Sequence, residues 1–179
     1  RRADLLLVEL DPEKRVLDLA IVEVKLRSDL APSARSALYR EMAEQTAVTE
    51  TAFRRLFDPH LYQEERTDGL LRAKELGTAL RFYLRRAMRY GLMADDVANE
   101  AMAFVEDLES GYRLQMRRLG VLFHLQAEGS HVDEEEPSFP VHRFGLDVAR
   151  RLLETARRDF KAGAHPREED GPPSGPPVG

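Results

Sequence analysis

Two aliphatic runs, "DLLLVEL" (residues 4–10) and "VLDLAIVEVKL" (16–26), stand on either side of "DPEKR" (11–15). Leucine-rich and β-branched segments bounded by Asp-Pro turn chemistry read as two strands of a hairpin. That hairpin commits the chain to a sheet. Its second strand also carries an anomaly. Glu23 and Lys25 lie two residues apart, so both point to one face, and Leu19 and Ile21 share that face. A turn centred between Pro12 and Arg15, without a bulge, makes opposing positions sum to about 27 or 28. Asp4 then falls across from Glu23 or Val24.

Two carboxylates that meet across a sheet repel one another. The arrangement is tolerated where positive charge sits between them, and a divalent cation with Lys25 alongside supplies it. Mg²⁺ (or Mn²⁺) is held by one or two carboxylates, with waters and substrate phosphate completing the octahedron. Such a metal lowers the pKa of bound water and stabilises charge on a phosphate in flight. The plainer reading is a strand end where Glu23 and Lys25 face water.

Downstream the period changes. Residues 32–57 place Leu38, Met42, Val48, Ala52, Phe53 and Leu56 at helical spacing, and "DPH" (58–60) stops that helix. A second helix runs from Asp68 to about Tyr90, with Gly91 as its C-cap. A third is predicted from Ala94 to about Arg118. "GVLFHLQAE" (120–128) reads as a strand, "HVDEEEPSFP" (131–140) as a loop, and residues 142–160 as an amphipathic helix. The expected fold is α/β, a mixed sheet flanked by helices within residues 1–162, with a helical insert at about 66–118 before the last strand. The Pro/Gly-rich tail, 163–179, is expected to be disordered.

Here composition sets the bounds. The 179 residues are 42% hydrophobic, enough for a core, and the net charge of -5 argues against coating nucleic acid by charge alone. Cysteine is absent, which rules out disulfides and thiolate metal sites and fits a reducing cytoplasm. No run approaches the ~20 apolar residues of a membrane span. The opening "RRAD" lacks methionine and reads as a fragment or a processed chain.

Asp4 in "RADLLLV", followed nineteen residues later by Glu23 and Lys25 in "IVEVK", resembles the PD-(D/E)xK nuclease-like superfamily, with its restriction-endonuclease-like fold. The resemblance implies an αβββαβ core, Mg²⁺-dependent cleavage of DNA phosphodiesters, metal held by Asp4 and Glu23, and Lys25 assisting the attacking water. It also implies roles in bacterial or phage DNA processing, restriction, defence or repair, often beside a helicase or translocase ATPase. Ala3 stands where the eponymous proline would be. The family's first helix and first strand would precede Asp4, so the N-terminal core elements are missing from this chain. Gln45, on the core side of the helix after Glu-x-Lys, resembles the RecB-like branch, although Thr49 stands where that branch carries tyrosine. A buried glutamine bonded to a backbone carbonyl is the alternative.

Arg81, Arg85 and Arg89 repeat every fourth residue, a stripe able to follow a nucleic-acid backbone or simply to face solvent. The five histidines include no i, i+4 pair of a zinc-bearing helix. Two rivals stay open: a nuclease-like module that binds nucleic acid or protein without catalysis, and a helical interaction scaffold.

Overall fold

The computed structural model describes residues 3–61, 68–136 and 139–162. Strand β1 (Leu5–Asp11) pairs antiparallel with β2 (Val16–Arg27), Leu5 opposite Val22 and Asp11 opposite Val16. In the turn, Asp11 Oδ1 accepts the Lys14 N–H at 3.0 Å and Arg15 takes a φ of 52°. That region is costly for a residue with a β-carbon. Contacts of the Arg15 side chain offset the cost. Its guanidinium donates to the carbonyls of Asp107 and Gly111, each at 2.7 Å, and pairs with the Asp107 carboxylate at 3.0 Å.

Beyond the hairpin come α1 (Pro32–Phe57), α2 (Gly69–Arg89), α3 (Asp95–Glu106), β3 (Arg113–His124), β4 (Ser130–Glu136), β5 (Phe139–Gly145) and α4 (Leu146–Ala162). The sheet order is β1-β2-β3-β5-β4. β2, β3 and β5 run parallel, and β1 and β4 are antiparallel edges. This is a five-stranded mixed sheet flanked by helices, an α/β fold.

One face of that sheet carries the main core. Leu17 and Leu19 of β2 and Leu114 of β3 pack with Leu76, Leu80 and Leu84 of α2 and Phe104 and Val105 of α3. Further along, Leu122 and Val141 pack with Leu38, Tyr39 and Met42 of α1. The register sets Leu17 beside Leu114 and Lys25 beside Leu122, so both clusters lie on the same side. α2 and α3 approach closely at Gly77, where a β-carbon would sit 3.1 Å from the Val105 carbonyl oxygen. Each fully buried leucine contributes roughly 1.5–3 kcal/mol, against about 0–1 for an exposed ion pair. The apolar face therefore fixes the fold, and the surface pairs trim it.

Three expectations need correction. The third helix ends at Glu106, and the strand expected at 120–128 runs from Arg113 to His124. The helical insert thus stops before residue 113, and residues 66 and 67 lie outside the described set. A 3₁₀ turn at Leu108–Ser110, closed by Gly111 at φ 108°, separates the helix from β3. The segment after it looks helical because Arg118 interrupts the alternation of Leu114, Met116 and Leu122. Arg118 points inward to pair with Glu50 at 3.0 Å. The loop expected at 131–140 contains β4 and the start of β5. An acidic sequence suits an edge strand, where charge discourages further pairing, and Pro140 sits by the register shift between Asp133 and Glu136. The last helix accordingly starts at Leu146 rather than 142. The tail at 163–179 lies outside the described residues. Among those described, no helix is long and apolar enough to cross a membrane.

Candidate active site

The inward row of β2 reads Leu17, Leu19, Ile21, Glu23, Lys25: apolar along the covered length, then charged as the strand ends. Glu23 is 1% exposed. Its Oε1 meets the Lys25 ammonium at 2.5 Å, while Oε2 is buried with no hydrogen-bond partner among the described residues. Removing a carboxylate from water costs several kcal/mol, and one ammonium returns only part of that. A buried acceptor left without a donor is uncommon and calls for a cause.

Asp4 sits across from this pair. The paired register ends at Leu5 opposite Val22, and just before it the Asp4 N–H donates to the Val22 carbonyl at 3.2 Å. Asp4 Oδ2 accepts the N–H of Val24, the residue between Glu23 and Lys25, at 3.0 Å. Asp4 is exposed where Glu23 is buried.

α1 runs past the same end of the hairpin. The Thr49 hydroxyl accepts the Ala3 N–H at 3.0 Å and donates to the Gln45 carbonyl at 3.1 Å. Gln45 is buried and its Nε2 donates to Glu41 Oε1 at 2.9 Å. Glu41, Gln45 and Thr49 follow one another every fourth residue and form one stripe on the helix. The Thr49–Ala3 bond ties that stripe to the residue preceding Asp4. On the other side of Glu23, the register sets Gly120 of β3. A β-carbon there would lie 2.7 Å from Met42 Cε, so glycine lets α1 settle close beside Glu23.

The structure therefore pairs Glu23 with Lys25, sets the Asp4 carboxylate on the Val24 amide between them, and links the α1 stripe that includes Gln45 to Ala3 through Thr49. It does not bring in the arginine stripe. α2 turns Glu75, Ala79, Tyr83 and Ala87 toward β1, and Arg81, Arg85 and Arg89 lie on its other flank. Thr49, Glu41 and Gly120 gain their place from the fold. For Glu41 and Thr49 the advance signal was their fourfold spacing from Gln45; for Gly120 there was none.

A second polar cluster lies beyond Leu122 on the same face. Tyr39 donates to Asp133 Oδ2 at 2.6 Å, and Arg143 Nε donates to the same oxygen at 3.2 Å. Burial alone would raise the Asp133 pKa, but the Tyr39 hydrogen bond and the Arg143 charge together hold it below the usual carboxylate range. Burial, then the bond to Asp133, pushes the Tyr39 phenol well up. At the end of β3, both ring nitrogens of His124 are buried without partners among the described residues.

Among the described residues, no three His, Asp or Glu side chains converge as a metal cage. A hard cation such as Mg²⁺ needs only one or two carboxylates, and Glu23 Oε2 with the Asp4 carboxylate are the oxygens at hand. Compared with known proteins, the chain gives no significant match to any family model, curated protein or solved structure.

Proposed function

We propose that this chain is a metal-dependent nuclease domain of the PD-(D/E)xK type, hydrolysing DNA phosphodiester bonds in bacterial DNA processing, restriction, defence or repair. A helicase or translocase ATPase is the partner that reading brings with it. The observation that carries the proposal is the buried Glu23 Oε2, an oxygen without a donor, beside an ammonium and next to the Val24 amide that holds the Asp4 carboxylate. The order of hairpin, helix and parallel strand supports the restriction-endonuclease-like fold: β2 ends at the site, α1 follows, and β3 lies parallel beside β2.

Glu23 and Asp4 would hold the cation. When bound, Mg²⁺ or Mn²⁺ supplies Lewis acidity and a water of lowered pKa. The chain does the rest. Asp4 is oriented by the Val24 amide. Lys25 donates toward the attacking water or toward the phosphoryl oxygen on which charge grows. Gln45, held by Glu41, keeps the wall of α1 polar at that point.

The test is nicking of supercoiled plasmid by the intact protein with Mg²⁺, alongside Asp4→Ala, Glu23→Gln and Lys25→Ala. We expect each variant to lose about 10²–10⁴-fold, the usual share of a positioned acid–base or charge-stabilising group. Undiminished rates in the three variants would remove these residues from the chemistry. A second reading keeps the fold and discards catalysis. The engagement of Asp4 Oδ2 by the Val24 amide favours it, since that bond alone gives Asp4 a structural role. Metal-independent DNA binding with no nicking by the unaltered protein would select it.

A further inference from the structure

α4 is pinned at its root and bare beyond it. The Gly145 N–H donates to the Gly129 carbonyl at 2.7 Å, the Leu146 N–H donates to the Ala127 carbonyl at 3.1 Å, and Asp147 Oδ1 accepts the Gly129 N–H at 2.8 Å. Every residue from Arg151 to Arg158 is exposed. Leu152 and Leu153 are 50% and 53% exposed. Helices of this length hold together in water mainly by packing an apolar face against other structure. Here half of that leucine surface is left to water.

The uncovered face has a definite form. Leu146, Ala149, Leu153 and Ala156 recur at alternating steps of three and four, an apolar row with Leu152 along one margin. Arg150 and Arg157 line the other margin, one on either side of Leu153. Both guanidiniums are available. Among the described residues neither has a carboxylate or carbonyl partner, and Glu154, a turn from each, pairs with neither. The ion pair on this helix joins Arg151 to Asp147 at 3.3 Å, on the side away from the row. An apolar seam thus runs beside two cations that nothing in the chain neutralises by contact.

We infer that the bare face of α4 binds an amphipathic helix of another polypeptide, its apolar row against Leu153 and its carboxylates against Arg150 and Arg157. Charges flanking an apolar seam set partner choice and orientation where two helices meet. A second copy of α4 supplies no such acid. Packed antiparallel it sets one arginine margin against the other, and packed parallel it sets the arginines against Leu152. Nucleic acid would take the arginines and leave the leucines in water. An anionic lipid surface would meet both margins, and the margin at Leu152 carries Thr155 rather than a cation. The inference is independent of nuclease activity.

The test is fluorescence anisotropy of the full chain with a labelled helical peptide of three heptads, leucine along its seam and glutamate at the flanking positions. Saturable binding is expected, at least tenfold weaker when lysines replace the glutamates. Leu153→Asp, at an exposed position, should cost at least tenfold. Arg150→Glu together with Arg157→Glu should reverse the preference between the glutamate and lysine peptides, a gain that misfolding cannot mimic. Failure of the unaltered chain to bind, equal binding of the two peptides, or indifference to both sets of substitutions would overturn the proposal. So would a dimer in sedimentation that Leu153→Asp abolishes while no peptide binds, since a second copy would then cover the face. Capture by DNA or by phosphatidylserine vesicles that the double arginine variant abolishes, again with no peptide bound, would overturn it in favour of those surfaces.

Discussion

The Lys25 ammonium lies 2.5 Å from Glu23 Oε1 and leaves Glu23 Oε2 without a donor. The pair is buried unequally, Glu23 at 1% and the Lys25 side chain at 18% exposure. Ion pairs of this kind contribute little net stability, because desolvation cancels the attraction, but breaking one strands a charge. Lys25→Ala should therefore destabilise the fold by about 3 kcal/mol. Glu23→Leu with Lys25→Met should be neutral or stabilising by about 1–4 kcal/mol. Urea denaturation of the single and double variants checks both. A double variant as unstable as Lys25→Ala would show that the pair holds the fold together rather than serving chemistry.

The Thr49–Ala3 bond couples α1 to the start of the hairpin. Thr49→Val keeps the shape and removes the acceptor, at a cost of about 1 kcal/mol. Hydrogen exchange should show lost protection at the Ala3 and Val24 amides and little change along α3. Uniform loss of protection throughout the chain would mean that the bond is not local to the site.

Glycines mark two close approaches. A β-carbon on Gly120 would press on Met42 Cε at 2.7 Å and on Val141 Cγ2 at 3.1 Å. The methionine end can move, so Gly120→Ala should cost about 1–2 kcal/mol. A β-carbon on Gly145 would lie 2.4 Å from the Ala127 carbonyl oxygen, which is main chain and cannot yield cheaply. Gly145→Ala should cost at least about 3 kcal/mol. Melting curves that rank the two in reverse would contradict this packing.

The Tyr39–Asp133–Arg143 cluster predicts a pH dependence. The folded-state pKa of Asp133 is depressed, so its stabilisation is present above the unfolded value of about 3.9 and is lost as pH falls through the lower folded value. The stability gap between the unaltered protein and Asp133→Asn should be about 1–2 kcal/mol at pH 6 and shrink steadily below about pH 4. Denaturation at a series of pH values measures it. A constant gap would mean that the carboxylate is not ionised in that cluster.

The hairpin was legible because β2 combines a long aliphatic run with a turn of fixed chemistry, and the register it implied set Asp4 across from Glu23 or Val24, where the Asp4 carboxylate accepts the Val24 amide. α1 was legible to the residue, with Pro32 at its first turn and Asp58–Pro59 beyond its end. The second half was harder to read. Arg118 faces inward to meet Glu50, a partner more than sixty residues earlier, and so masks the twofold period of β3. β4 is acidic because it is an edge, and edges resemble loops in sequence. The stripe of Glu41, Gln45 and Thr49 shows its purpose only once Ala3 donates to Thr49.

Electron paramagnetic resonance of Mn²⁺ titrated into the protein addresses the site most directly. One bound ion per chain is expected, displaced by Mg²⁺ and weakened at least about tenfold by Glu23→Gln, since even outer-shell changes cost 10–100-fold. No bound Mn²⁺, or equal affinity in the Glu23→Gln protein, would contradict the claim that the buried oxygen of Glu23 awaits a cation.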